Sequence, residues 1–282
     1  FRKASKMALL SLGFSPCPND TFMFAGLVNG WVRGDLKFKV TILDVETLNS
    51  LVTEEKIDIS KISCHTLYYV QGKYCFLPVG AALGYGCGPL LITRPELSLD
   101  DLPSATIAIP GKYTTAYLLL RLYAPYLKKE QIVFLPFDQI IENVYTKKAD
   151  FGLIIHEGRF VYSQYGLKSV LDLGKWWENQ THLPLPLGGI VAKKSLGKDK
   201  IEIFTQMLRE SILFAYAHPG KVMKYVKKYA AYLEDEIIKQ HIELYVNQFS
   251  LNLGEQGRRA VQTLMAHIEK REVSESLFCN QV

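Results

Sequence analysis

Several common signatures are missing from the 282-residue chain, and each absence removes a class of function. No apolar stretch approaches the ~20 uninterrupted residues of a membrane-spanning helix, because Lys, Glu, Pro or Gly interrupts every candidate. There is no GxxxxGK[ST] loop and no GxGxxG after a strand, which argues against a nucleoside triphosphate or a dinucleotide. No HExxH run points to a metal, and no GxSxG elbow supports Ser-His-Asp catalysis. The five cysteines (Cys17, Cys64, Cys75, Cys87, Cys279) form no CxxC pair, so neither a zinc ribbon nor a redox dithiol is indicated. Reduced thiols in a cytoplasmic protein are the expectation. No repeat period marks a solenoid, a coiled coil or collagen. The 33 basic residues stand singly or in pairs such as Lys128-Lys129, without the basic face and interleaved aromatics of a nucleic-acid binder. A net charge of +5 suits a small anionic ligand.

What is present is apolar mass. Hydrophobic residues make up 48% of the chain and charged residues 22%, with 14 Phe, 16 Tyr and 3 Trp, which excludes intrinsic disorder. The length predicts two compact units rather than one. Met7 to Phe14 has the look of a short signal sequence, but it runs into Ser15-Pro-Cys-Pro-Asn-Asp20 with no small-x-small cleavage site, so a first buried strand is the reading. Met7 reads as the natural start, with Phe1 to Lys6 foreign to it. Strands then alternate with helices: strands at Leu9–Phe14, Phe38–Leu43, Ile57–Ser63, Thr106–Ile109, Ile132–Pro136, Phe151–Ile155, Ser169–Leu173 and Gly189–Ala192. Asn19 or Asp20, Asp44, Thr114 or Thr115, and Asp138 are placed to cap the helices between them. From Asp199 onward the pattern is helical only, with Ile201, Phe204, Leu208, Ile212 and Ala215 on one face. Strand–helix alternation predicts α/β layers, two such units forming a clamp, with ligand at the carboxyl ends of the strands.

Three loops at such positions carry chemistry. Ser15-Pro-Cys-Pro-Asn-Asp-Thr21 brings Ser15 and Asn19 to a helix N-terminus that favours an anion, while Asp20 opposes one unless it faces away or takes a hydroxyl. An ordinary capped turn explains the same residues. Cys17 either touches the ligand or merely fits the turn. Ile109-Pro-Gly-Lys-Tyr-Thr-Thr-Ala116 combines Gly111, Lys112, Thr114 and Thr115 as an anion cradle. His156-Glu-Gly-Arg159 follows an apolar strand, and a histidine there, with an ordinary pKa near ~6.5, suits a general base. His65, His182, His218, His241 and His267 read as structural. Asp44 with Glu46, and Ile59-Ser-Lys-Ile-Ser63, are secondary candidates. Lys61 in an apolar strand is explained by a ligand carboxylate, or by an exposed edge strand.

Five blocks in order carry a family likeness: Ser15-Pro-Cys-Pro-Asn-Asp-Thr-Phe22, Asp44-Val-Glu-Thr-Leu-Asn49, Pro110-Gly-Lys-Tyr-Thr-Thr-Ala-Tyr117, Gly152-Leu-Ile-Ile-His-Glu-Gly-Arg-Phe160 and Leu183-Pro-Leu-Pro-Leu-Gly-Gly189. The chain resembles the 1,4-dihydroxy-6-naphthoate synthase family of the futalosine route to menaquinone. The resemblance implies a two-lobed fold like the type 2 periplasmic binding proteins, with a ligand cleft between lobes formed by residues 1–95 plus 193–282 and by 96–192. It implies a cytoplasmic lyase that cleaves cyclic dehypoxanthinyl futalosine to 1,4-dihydroxy-6-naphthoate and dihydroxyacetone, with no metal or organic cofactor. By the same resemblance His156 is the base, and Lys61, Ile62, Ser63, Thr115 and Ala116 contact substrate, Ile62 through its backbone. Ser15, Asn19 and Thr114 join that set from the loop chemistry. The implied partner is a small-molecule carboxylate, with no nucleic acid and no membrane; a homodimer is left open. A non-catalytic solute-binding protein and the sibling chorismate dehydratase are the rival readings.

Overall fold

A computed structural model describes residues 9–269 and 277–279. The start assigned to Met7, and the six residues before it, lie outside the described residues. Eleven strands form two sheets: β1 (Leu9–Phe14), β2 (Lys37–Ile42), β3 (Ile59–Ser63), β4 (Tyr74–Phe76), β5 (Ala82–Gly84), β6 (Leu90–Thr93), β7 (Ile107–Ile109), β8 (Ile132–Phe134), β9 (Phe151–Ile154), β10 (Lys168–Asp172) and β11 (Leu185–Lys193). The first sheet runs β2-β1-β3-β11-β4 with β5 on β11, and the second runs β10-β6-β9-β7-β8. The helices are α1 (Pro18–Val28), α2 (Val45–Thr53), α3 (Cys64–Val70), α4 (Thr115–Tyr123), α5 (Ile140–Tyr145), α6 (Gly158–Val161), α7 (Leu173–Thr181), α8 (Lys198–Ala217), α9 (Pro219–Val226), α10 (Asp235–Tyr245), α11 (Gln248–Leu251) and α12 (Gly254–Glu269).

The sequence explains the layering. β3 and β9 are buried along their whole length, as strands covered on both faces must be. β3 lies parallel to β1 and antiparallel to β11; β9 lies parallel to β7 and antiparallel to β6. α1 is buried from Pro18 to Leu27 and apolar from Phe22 onward, which places it inside the molecule rather than on its surface. One face of it stacks Phe24 on Phe14 of β1 at 4.5 Å between ring centroids, and Phe204, Leu208 and Ile212 of α8 complete that core. A second core runs through both sheets, from Ile62 and Leu67 to Ile107, Leu119 and Trp177. Four of the strands in parallel pairings, β1, β3, β7 and β9, end toward the same cleft, so the loops that follow them meet there.

Several local expectations change. α1 begins at Pro18 with Cys17 at its N-cap and no side-chain cap, because proline at the first helical position sets the start one residue earlier than Asn19. Asp44 caps α2 through the N–H groups of Glu46 and Thr47, and Thr114 caps α4 through that of Tyr117. Asp138 caps nothing, because it sits inside a 3-10 turn, Phe137–Gln139, that precedes α5. The chain crosses to the second sheet before β6 and returns before β11, whereas boundaries at 95 and 193 would leave each strand in the other sheet. β11 starts early because the Leu-Pro-Leu-Pro-Leu run is extended and pairs with β5, absorbing its proline at a register shift between Pro186 and Gly188.

The cysteines depart from expectation as well. Cys75 on β4 and Cys279 form a disulfide across 204 residues of sequence, next to the bridge from Phe76 to Phe278. Cys17, Cys64 and Cys87 are free and buried. Closing so long a loop restricts the unfolded chain, by about 5 kcal/mol in the entropic limit. Unfolding in urea with a reductant is therefore expected to give a stability about 2–5 kcal/mol below that of the oxidised protein, and Cys279→Ser is expected to match the reduced wild type.

Gly188 offers a second test. A Cβ there would stand 2.5 Å from the Ile62 carbonyl oxygen, backbone that cannot yield. Gly188→Ala is expected to cost about 1–3 kcal/mol in denaturant titration.

Candidate active site

The floor of the cleft is ionic. Lys61, in the middle of β3, is 5% exposed and places its Nζ 2.7 Å from Oδ1 of Asp20 in the first turn of α1. Neither an exposed edge strand nor a ligand carboxylate is needed to account for it: β3 is central, and the partner is the chain's own. Asp20 accepts three further hydrogen bonds, from the Ser15 backbone N–H (3.1 Å), the Ser15 hydroxyl (2.6 Å) and the Asn19 amide (2.9 Å). A fully buried carboxylate is thus saturated by donors and paired with a cation, which is the condition for burying it. Ser15 and Asn19 line the cleft, but their donors serve Asp20 rather than a ligand; the Asn19 carbonyl oxygen is buried and has no partner among the described residues. Burial pushes the Cys17 thiol well above its usual range, so it stands neutral beside them.

Beside Lys61, Ile62 and Ser63 line the same floor. The Ser63 N–H donates to Asn49 of α2 (2.9 Å), and the Asn49 amide donates back to the Ser63 hydroxyl (3.1 Å) and to Glu46 (3.1 Å). Glu46 then reaches across to the second loop, where Oε1 accepts the Tyr113 backbone N–H at 3.0 Å. Gly111 leaves the room: a Cβ there would fall 2.4 Å from the Glu46 carboxyl carbon. In the Ile109 to Ala116 loop, expected to cradle a ligand anion, the Tyr113 N–H holds the protein's own Glu46 carboxylate. Burial raises the pKa of that group against the backbone hydrogen bonds that lower it. Lys112 lies over the Tyr113 ring, outside the cleft.

Thr114, Thr115 and Ala116 do line the cleft. The Thr114 hydroxyl donates to the Gly111 carbonyl (2.8 Å), and that of Thr115 donates to the Leu187 carbonyl of β11 (2.7 Å) while accepting the His65 N–H (3.2 Å). Both side chains are spent on the frame, leaving the backbone at the start of α4 to face the cavity.

His156, two residues past the end of β9, has φ of 53°, the left-handed region that a non-glycine residue enters at a cost of order 1–3 kcal/mol. That turn aims the ring into the cleft, edge-on to Phe137 at 5.2 Å. Burial lowers its pKa against the opposing pull of Glu157 and Asp20, so the imidazole is neutral at pH 7 and able to accept a proton. Glu157 does not orient it: its Oε1 accepts the Tyr232 hydroxyl at 2.9 Å.

Three neighbours escaped the sequence reading. His241 of α10 lies parallel to His156 (6.2 Å, 13°), fully buried, with no hydrogen bond to either ring nitrogen among the described residues. Nothing in a helical sequence context marks it. Arg159 and Tyr245 also line the cleft. Arg159 was visible as part of the block after β9, but its direction was not.

A family model described as menaquinone biosynthesis matches residues 10–270. The chain is 44% identical over 94% of its length to a 1,4-dihydroxy-6-naphthoate synthase of Thermus thermophilus, covering 96% of that protein. It is 40% identical over 91% of its length to one of Streptomyces coelicolor, covering 91% of it. Among solved structures, a protein of Archaeoglobus fulgidus aligns with a TM-score of 0.86 at 37% identity, covering 93% of this chain and 97% of that one. The alkanesulfonate-binding protein of Xanthomonas axonopodis aligns with a TM-score of 0.68 at 13% identity, over 98% of each chain, which shows the periplasmic-binding-protein fold.

The buried imidazoles make stability pH-dependent. Burial lowers the pKa of His65 to about 4, and lowers those of His156 and His241 as well. A histidine whose folded pKa lies below its unfolded value of ~6.5 takes up a proton on unfolding, so its stabilising effect is complete above ~6.5 and is lost as pH falls toward the folded pKa. The melting temperature is expected to drop between pH 7.5 and 5, and His241→Leu is expected to shrink that drop. A variant whose melting temperature falls as steeply as the wild type's would contradict the assignment.

Proposed function

The chain belongs to the menaquinone-biosynthesis family, and from that membership we propose that it is itself a 1,4-dihydroxy-6-naphthoate synthase. The reaction is carbon–carbon cleavage of cyclic dehypoxanthinyl futalosine, giving 1,4-dihydroxy-6-naphthoate and dihydroxyacetone, with no metal or organic cofactor. The two curated relatives that carry the product's name support it, as does the cleft itself. We also place the enzyme in the cytoplasm. Among the described residues no helix is long and apolar enough to cross a membrane, and the Cys75–Cys279 bond, with both residues buried, is shielded from reductant.

The observation that carries the reading is His156: a neutral imidazole held at a strand end in a strained backbone conformation and aimed into a cleft built of polar floor and apolar wall. In the proposed reaction it takes a proton from the sugar-derived ring. The carbon–oxygen double bond forms in the departing fragment, the electron pair of the breaking carbon–carbon bond passes to the ring that becomes aromatic, and the imidazolium is the acid that returns the proton. Lys61 keeps two N–H donors beyond the one given to Asp20, and these serve substrate oxygens. The Ser63 hydroxyl and the backbone of Ile62, Thr115 and Ala116 hold the substrate from either side. Ser15 and Asn19 act through Asp20, and Thr114 acts by capping α4. Closure of the lobes excludes water and fixes the distance to the base.

Purified protein incubated with cyclic dehypoxanthinyl futalosine, without added metal, is expected to yield 1,4-dihydroxy-6-naphthoate by mass spectrometry. His156→Ala and His156→Asn are expected to lower kcat by about 10³-fold while substrate binding persists. Unchanged substrate recovered as a tight complex with the wild type would sink the synthase reading in favour of a binding protein. Equal loss of binding and turnover in the variants would make His156 a binding residue.

A further inference from the structure

The product's name fixes one more feature of the ligand: a naphthoate carries a carboxylate, and a cleavage that releases dihydroxyacetone leaves that group untouched. The substrate therefore brings a permanent negative charge into the cleft, and the structure restricts what can meet it. Three cationic or anion-binding features lie near the cavity. Lys61 is neutralised by Asp20 at 2.7 Å, both side chains buried. The cradle before α4 is filled by the Glu46 carboxylate, which holds the Tyr113 N–H at 3.0 Å. The third is Arg159, which lines the cleft from α6 and makes no ion pair with any carboxylate among the described residues.

Resting on the synthase reading, we propose that Arg159 is the residue that recognises the substrate's carboxylate and so determines specificity for an acid over its neutral analogue. Its surroundings suit the task. One Nη1 hydrogen bond to the Gly88 carbonyl (3.2 Å) steadies the guanidinium without neutralising it. Glu157, two residues earlier, accepts the Tyr232 hydroxyl through Oε1 at 2.9 Å, has no partner for Oε2 among the described residues, and is not part of the cavity lining. His156 is uncharged, and Asp20 is the one carboxylate lining the cavity, already matched by Lys61. Arg159 is left as the uncompensated charge of the lining. A guanidinium offers a planar fork of donors that takes a carboxylate through two parallel hydrogen bonds, which an ammonium cannot do. Base and anchor also belong to one short segment: His156 and Arg159 stand three residues apart at the end of β9, so anchoring the carboxylate sets the distance of the reacting carbons from the imidazole.

The test compares cyclic dehypoxanthinyl futalosine with its carboxamide analogue, and naphthalene-2-carboxylate with naphthalene-2-carboxamide as unreactive probes, on wild type, Arg159→Gln, Arg159→Lys and Lys61→Met. Wild type is expected to lose about 100-fold in kcat/KM on the carboxamide. Arg159→Gln is expected to lose a similar factor on the natural acid, mainly through KM, and to discriminate no longer between acid and amide. Arg159→Lys is expected to keep partial discrimination, and circular dichroism checks that each variant is folded. If Arg159→Gln and Arg159→Lys discriminate as well as wild type, or if only Lys61→Met loses discrimination, the proposal is overturned. If wild type makes no product but binds the naphthalene carboxylate in an Arg159-dependent way, the synthase reading fails and the carboxylate anchor stands.

Discussion

The buried ion pair between Lys61 and Asp20 is the constraint on which the site depends. A lysine in the middle of a central strand is tolerable only with a partner at close range, and an aspartate inside an apolar helix is tolerable only with several donors. Each requirement satisfies the other. The pairing ties the first turn of α1 to β3, 41 residues apart, and recruits Ser15 and Asn19 to complete the coordination of one carboxylate. Removing either member would strand a charge, the costly way to break such a pair. The floor of the cleft is thereby polar and close to neutral.

The walls are tied across the gap by backbone-directed hydrogen bonds rather than by apolar packing alone. Thr115 reaches the Leu187 carbonyl, His65 reaches Thr115, Glu46 reaches Tyr113 and Tyr232 reaches Glu157. All of these join parts of the chain on opposite sides of the cleft, and each is a single bond worth on the order of 1 kcal/mol. Bonds of that size hold the two sides of the cleft together without locking them.

How much of this was legible in the sequence depended on range. Asp44 and Thr114 cap helices two or three residues away, so their roles follow from local spacing, and both were read correctly. His156 was readable because an apolar strand buried on both faces ends beside it, and a polar residue at such an end has few places to point. Asp20 was ambiguous because its partner, Lys61, lies on a strand 41 residues away. The Gly111 loop, expected to cradle a ligand anion, gives its Tyr113 N–H to the Glu46 carboxylate, which only folding brings near. The stacking of His241 on His156 and the joining of Cys75 to Cys279 lie further still from any local signal: each links segments 85 residues apart or more. The comparisons named the family from whole-chain similarity, which carries such long-range pairings implicitly.

The proposed reaction uses a fold shared with binding proteins, so its chemistry has to come from the lining of the cleft. Binding alone needs a cleft with matched donors, and β1, β3, β7 and β9 supply that by ending together. Cleavage needs a group that is uncharged before the reaction and charged during it. An imidazole whose pKa is lowered by burial meets the first condition, and the negative charges of Glu157 and Asp20 serve the second by stabilising the imidazolium, although burial outweighs them. The strain at His156 serves the same end: a relaxed strand would carry the ring on along β9, whereas the left-handed turn brings it over the polar floor. The neutral ion pair below is what lets that imidazolium form, since an unpaired Lys61 would repel it and an unpaired Asp20 would hold it protonated from the start.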